Sequence, residues 1–191
     1  LDYMKIKKYK NYSAEYLNEK ILNFLSLLQD KNEKYHYFPS HQNNLTKPGK
    51  EIRLGFSCYA LKTIFTLNQW DELTEDDKKN WGQYINSFQE NYKNFPENSF
   101  IDHKYINGFN KFNLKNLGKE SVKKTLNTFS NSKYEMRNKQ LHSFVRAESK
   151  QAIATLRQVQ LKNSKPYLEF PTKKEHISTY LDNFNWNKPW S

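Results

Sequence analysis

Residues 55–70 read GFSCYALKTIFTLNQW, and this run sets the architecture. Apolar side chains fall on nearly every side of a helix drawn through it, and a helix that is apolar all round is buried all round. After Thr74, a good helix cap, residues 75–92 carry a narrow apolar stripe that includes Trp81 and Ile85. The sequence therefore predicts a buried helix followed by an amphipathic helix that lies outside it.

The same pairing recurs further along the chain. The segment ALKTI at 60–64 resembles AIATL at 152–156, 92 residues later, and the apolar stripes of the following helices match at an offset of 96 residues. Two unrelated helical hairpins would share part of this spacing, but here the inner and outer character recurs as well. We interpret the pattern as a repeat, with 141–161 inside and 172–184 outside.

The remaining chain divides into helical and irregular segments. Helical periodicity predicts a first helix over 13–29, a short helix over 119–129 and a long helix over about 133–161. Stretches rich in Asn, with Pro and Gly and no clean period, predict loops over 31–52 and 93–117.

Composition favours a helical fold and excludes several other classes. The chain has 191 residues of which 16% are aromatic, whereas disordered chains of this polarity are aromatic-poor. Five Gly and six Pro argue against a turn-rich sandwich or barrel, and a single Cys excludes an internal disulfide framework. We therefore predict one all-α domain over 1–191, built as an array of antiparallel helical hairpins.

The hairpins 55–92 and 141–184 resemble the α/α-toroid folds of prenyltransferases, terpene cyclases and many polysaccharide lyases and glycoside hydrolases. The resemblance implies a partial toroid, and the start at Leu1 rather than Met favours a fragment of a longer chain. The aspartate motif of terpene cyclases (Asp-x-Asp-Asp) and the Gln-x-x-x-Gly-x-Trp repeat are both absent. The resemblance therefore assigns no functional residue to this chain.

The net charge of +11 is a weak indicator of nucleic-acid binding. Of the 31 basic residues, 27 are Lys and only four are Arg, although base readout and bidentate phosphate binding favour Arg. The lysines are spread along the chain, which favours a solvated surface over a nucleic-acid site. No apolar run reaches the roughly 18 residues of a membrane span, and no apolar signal segment follows the basic start. The expectation is a cytoplasmic protein.

The candidate catalytic residues lie on the long helix: Glu148, Arg146 and His142. Glu148 falls on or beside the apolar stripe of that helix, where a carboxylate is costly unless it is paired. It is therefore a candidate general acid or base with a raised pKa. The alternatives are a structural ion pair with Arg146, Lys150, Arg157 or a residue of a neighbouring hairpin, or a slight rotation of the side chain towards solvent.

The sequence offers no cofactor or metal motif. His36 and His41 are five residues apart without zinc-ligand spacing, and HExxH is absent. Cys58 lies in the buried helix and is typical of a core residue rather than a nucleophile. Residues 46–50 (TKPGK) lack the first glycine of a phosphate-binding loop.

These observations leave three hypotheses about function. The polar cluster around Glu148 and the many aromatic residues favour a domain that binds or acts on a glycan or a related polar metabolite. The first alternative is a non-catalytic helical scaffold whose concave face binds a protein. The second is nucleic-acid binding through the lysine-rich surface.

Overall fold

The computed structural model describes residues 13–41, 44–92, 94–110, 114–130, 134, 136–169, 171, 173–184 and 186–187. This part of the chain is mainly helical, as the sequence predicts, and it contains one two-stranded antiparallel sheet. The helices are α1 (Ala14–Leu28), α2 (Lys47–Glu51), α3 (Leu54–Thr66), α4 (Glu75–Asn86), α5 (His103–Asn110), α6 (Leu114–Phe129), α7 (Arg137–Gln158) and α8 (Lys174–Asp182). The strands are β1 (Gln89–Glu90) and β2 (Ser99–Phe100).

The centre of the fold is the packing of α3 against α7. Leu61 of α3 and Leu156 of α7 are completely buried in one core cluster. Helix α4 packs on both helices and adds Trp81 and Ile85 to the same cluster. Helix α4 buries only one stripe, whereas α3 buries most of its first two turns, and the sequence predicts this difference between the two helices.

One expectation for α3 is wrong, because this helix is not buried on every side. The side chain of Tyr59 is 57% exposed, and Thr63, one turn further on, donates its hydroxyl to the carbonyl of Tyr59 at 2.9 Å. This face points to solvent because α7 and α4 cover the other sides. The helix also ends at Thr66 rather than at residue 70. Two residues after this end, Asn68 turns the chain with a φ of 57°.

The two predicted loops contain regular structure. The segment 93–117 includes β2, which pairs with β1 through Gln89 opposite Phe100, as well as α5 and the first turn of α6. The segment 31–52 includes the short helix α2, capped by the hydroxyl of Thr46. Periodicity does not reveal these elements because each is too short to complete a recognisable repeat.

The last helix packs differently from α4, its counterpart in the sequence repeat. Ile177 and Leu181 of α8 are each 42% exposed, whereas the corresponding Trp81 and Ile85 of α4 are buried. Residues 133 and 172, where the sequence predicts the two last helices to begin, lie outside the described residues. Among the described residues, no helix is both long and apolar enough to cross a membrane.

Candidate functional site

Glu148 reaches from α7 to the first turn of α3. Its carboxyl oxygens lie 2.8 and 2.9 Å from the position that a Cβ atom on Gly55 would occupy, so a side chain at position 55 would displace this carboxyl group. The Oε2 atom is buried and has no hydrogen-bond partner among the described residues. Burial, and secondly the charge of Asp102, raise the pKa of Glu148 to about 7.

Asp102 is the second carboxyl group at this place, and it is only 2% exposed. Its Oδ2 atom accepts the backbone N–H groups of Arg53 at 2.6 Å and Leu54 at 3.2 Å, and its Oδ1 atom accepts that of Tyr105 at 3.3 Å. Asp102 therefore supplies the cap that α3 lacks, because Arg53 makes no side-chain cap bond of its own.

The two carboxyl groups, which we call the carboxyl pair, have opposite surroundings. Asp102 is surrounded by N–H donors, whereas Glu148 carries a buried oxygen with no donor among the described residues. A buried acid whose pKa is raised towards neutral pH is typical of acid–base chemistry. Glu148 can therefore gain or lose a proton near neutral pH.

Two further titratable groups are affected by Glu148. Burial, and secondly the charge of Glu148, raise the pKa of the Cys58 thiol to about 12. This agrees with the prediction that Cys58 is a core residue, because a thiol that stays protonated is a poor nucleophile. Burial and the charge of Glu148 also raise the pKa of Tyr105, whose ring stacks on Phe144 with 3.8 Å between ring centres.

The structure does not bring the other two candidate residues to Glu148. Arg146 forms an ion pair with Glu169, and its side chain is 55% exposed. His142 is exposed, and its ring lies 4.7 Å from that of Phe95. Arg146 and His142 are one turn apart on α7, on a different face from Glu148. Of the alternatives for Glu148, the ion pair with Arg146 is not formed, because Arg146 pairs with Glu169 instead.

A cleft of about 740 Å³ lies between α2 and α5, close to the carboxyl pair. Tyr105 and Phe109 provide aromatic surface, and Lys47, Lys50 and Glu51 provide charged groups. Glu148 does not line this α2–α5 cleft, and neither do Arg146 and His142. Tyr105 is the connection, because it lines the cleft and its pKa responds to the charge of Glu148.

A second cleft, of about 660 Å³, lies where α4 meets the ends of α3 and α7. Its aromatic residues are Phe65 and Trp70, and Trp70 is only 7% exposed. Several polar groups here already have partners within the chain. Lys78 pairs with Glu75 at 2.8 Å, and Asn86 donates to the carbonyl of Lys162 at 3.0 Å.

One cluster has residue types that could hold a metal ion. Asp30, Glu33 and His36 place one ligand atom each within 4.8 Å of one another. Asp30 accepts the Nδ1 proton of His36 at 3.0 Å, and the Arg53 guanidinium is bonded to Glu33. The Arg53 guanidinium therefore already pairs with one of the two carboxylates, in a cluster in which only His36 is fully buried.

Sequence reasoning found Glu148 but missed Asp102 and Tyr105. The signal for Asp102 was an acidic residue directly before a short helix that contains Tyr105, in a stretch assigned to loop. Comparison with protein-family models, with curated proteins and with solved structures finds no match to the chain. Its fold and site define it as a mainly helical protein with a buried carboxyl pair beside an aromatic cleft.

Proposed function

We propose that this protein binds a glycan or a related polar metabolite in the α2–α5 cleft. In this proposal the rings of Tyr105 and Phe109 contact the apolar faces of the ligand, and Lys47 and Lys50 bind its polar groups. Glu148, behind Tyr105, exchanges a proton when the ligand binds or reacts. The observation that carries the proposal is the position of Tyr105 between a cleft with charged edges and a carboxyl group that titrates near neutral pH.

The α2–α5 cleft is preferred over the α4 cleft for two reasons. Its lysines, Lys47 and Lys50, are exposed, so their ammonium groups are accessible to a ligand. In the α4 cleft Lys78 already pairs with Glu75, and Trp70 presents little of its ring. A ligand gains most where polar groups converge on a cavity with apolar walls.

The same proposal includes the arrangement of the helices as a partial α/α toroid. The packing of α3 against α7, with α4 outside them, supports alternating inner and outer helices. The exposed stripe of α8 fits an outer helix that packs less closely on the protein than α4 does. A solved structure of the full-length protein tests this arrangement, and α3 and α7 on opposite sides of a sheet or bundle would contradict it.

Binding is tested by titrating the purified chain with a panel of neutral and acidic oligosaccharides in a calorimeter. For a glycan that binds, Tyr105→Ala should weaken affinity at least about tenfold, because a stacked ring and its contact area are lost. Lys50→Ala should weaken it severalfold. The matched control is Tyr59→Ala, which removes an exposed tyrosine of α3 outside the cleft.

Thermal unfolding of each variant separates a lost contact from a lost fold. The proposal is wrong if no glycan of the panel binds, or if folded Tyr105→Ala and Lys50→Ala both keep the affinity of the original chain. The role of Glu148 has its own test in the pH dependence of binding. Affinity should change between pH 6 and pH 8 and should become flat in Glu148→Gln.

A protein-binding scaffold is the second candidate, and one observation favours it. Helix α8 has no buried residue, and Ile177, Leu181 and Phe184 lie on one exposed stripe. A photo-crosslinking amino acid at Leu181 in cells should then give one discrete adduct, and the same group at exposed Lys31 should give none. Equal labelling at the two positions would remove this candidate.

A further inference from the structure

Helix α6 exposes its apolar side chains. Leu114 is 76% exposed and Phe129 is 85% exposed, and the helix has no buried residue. The exposed apolar residues of α6 are Leu114, Leu117, Val122, Leu126 and Phe129. At helical spacing these five fall on one half of the helix, which we call the α6 apolar face.

The polar side of α6 faces the rest of the protein. The Oε2 atom of Glu120 accepts the backbone N–H of Arg137, the first residue of α7, at 2.9 Å. Seven residues later, on the same side, Asn127 exchanges two hydrogen bonds with the backbone of Tyr134, at 2.7 and 2.8 Å. Surface helices of globular proteins normally turn their apolar stripe to the core. Helix α6 is inverted, so its apolar face is directed outwards.

Two threonine hydroxyl groups between the apolar residues donate hydrogen bonds within the helix. Thr125 donates to the carbonyl of Ser121 at 3.0 Å, and Thr128 donates to that of Lys124 at 2.8 Å. Such internal bonds lower the cost of moving a hydroxyl group out of water. The α6 apolar face can therefore enter an apolar layer without leaving these two donors unpaired.

Charge distinguishes α6 from α1 and α8, the other two helices without a buried residue. Helix α6 carries four lysines and one acid, whereas α1 and α8 each carry acids and bases in similar number. At helical spacing Lys119 and Lys124 lie on the two flanks of the apolar face. Lysines in such positions extend along an apolar surface and keep their charge in the polar layer beyond it.

We propose that α6 binds to the surface of an anionic lipid bilayer, with its apolar face among the acyl chains and with Lys119 and Lys124 at the lipid head groups. Basic amphipathic helices with exposed Leu and Phe bind membranes in this way, lying in the plane of the interface. The net charge of +11 of the whole chain adds long-range attraction to such a surface. The inference is independent of ligand binding in the α2–α5 cleft.

Vesicle flotation with the purified full chain tests the proposal. Vesicles of phosphatidylcholine with 30% phosphatidylglycerol should bind the chain at low salt, while vesicles of phosphatidylcholine alone should bind at least about tenfold less. Binding should weaken as salt screens the lysines. Absence of binding to the anionic vesicles would overturn the proposal.

Two double variants test the apolar residues and the flanking lysines of α6 separately. The double variant Leu117→Ser with Phe129→Ser should lower binding at least about tenfold, and so should Lys119→Glu with Lys124→Glu. The matched control in α1 is Leu27→Ser with Lys20→Glu, which changes equally exposed residues and should bind as the original chain does. Equal loss in this control would show that binding is not specific to α6.

A protein that covers the α6 apolar face is the competing outcome. If a second copy covers it, sedimentation will show a dimer that Phe129→Ser converts to a monomer, and vesicles will not bind. That result overturns the lipid proposal. The proposal is also overturned if α6 variants that are folded by circular dichroism still bind the vesicles and only unfolded variants lose binding.

Discussion

The α3–α7 interface and helix α6 are built in opposite ways. At the interface two carboxyl groups, Asp102 and Glu148, lie inside the protein among apolar residues. In α6 the polar residues Glu120 and Asn127 hold the helix to the protein, and its leucines are outside. Both regions reverse the usual distribution of polar and apolar groups. Helical periodicity therefore predicts that a helix has a polar and an apolar face, but it does not predict which face is buried.

The difference lies in what stabilises each arrangement. The interior carboxyl of Asp102 has three backbone donors, so its burial is compensated. The exposed leucines of α6 do not pack against an apolar surface within the described residues, so an external surface is needed to remove them from water. Substitutions of the interior polar groups should therefore change the free energy of unfolding much more than substitutions of the exposed leucines in α6.

Asp102→Ala should have the greatest effect. It leaves the N–H groups of Arg53, Leu54 and Tyr105 without their acceptor, and unpaired buried donors cost about 1 to 3 kcal/mol each. We expect a loss of about 3 to 5 kcal/mol in the free energy of unfolding, measured by urea denaturation. Asp71→Ala, at an exposed site, is the control, and equal losses in the two variants would contradict the role of Asp102.

Glu148 should make stability depend on pH. Its pKa is about 7 in the folded chain and 4.5 ordinarily, so the folded state holds the proton more tightly. The stabilisation is complete below pH 4.5 and is lost as the pH rises through 7, a change of about 3 kcal/mol. Glu148→Gln should remove this slope. Parallel pH profiles of the original chain and of Glu148→Gln would show that Glu148 is not the group responsible.

Ser57→Ala examines a neutral polar contact in the same interior. The indole Nε1–H of Trp81 donates to the Ser57 hydroxyl at 3.0 Å, and both side chains are buried. Loss of the acceptor should cost about 1 to 2 kcal/mol and should shift the tryptophan fluorescence. A stability equal to that of the original chain would mean that water replaces the hydroxyl.

Leu117→Ala in α6 should change stability least. Leu117 is 52% exposed, so the variant should lie within about 0.5 kcal/mol of the original chain. The same substitution at Leu61, which is 0% exposed in α3, should cost about 2 to 5 kcal/mol. A large loss at Leu117 would show that the α6 apolar face is covered within this chain.

The sequence predicts the long elements well and the contacts between them poorly. Thr74 caps α4, as its residue type predicts, and the apolar period places α3 and α7 in the core. The placement of Glu148 beside the apolar stripe also follows from spacing. The effect of Asp102 on Glu148 could not be predicted, because it joins residues 46 positions apart and depends on how β2 packs on α7, which no local pattern encodes.

The borrowed caps of α3 and α7 have a consequence for how the chain folds. Arg53 and Met136 precede these helices, but their side chains make no cap hydrogen bond. Asp102 and Glu120, which belong to other parts of the chain, accept the first N–H groups of α3 and α7 instead. The first turn of α3 is therefore completed only when residues 48 positions apart in the chain are brought together. Loop closure of that length slows folding and makes it cooperative. An isolated α3 peptide should be largely unstructured, and the central helices should form together in a single step.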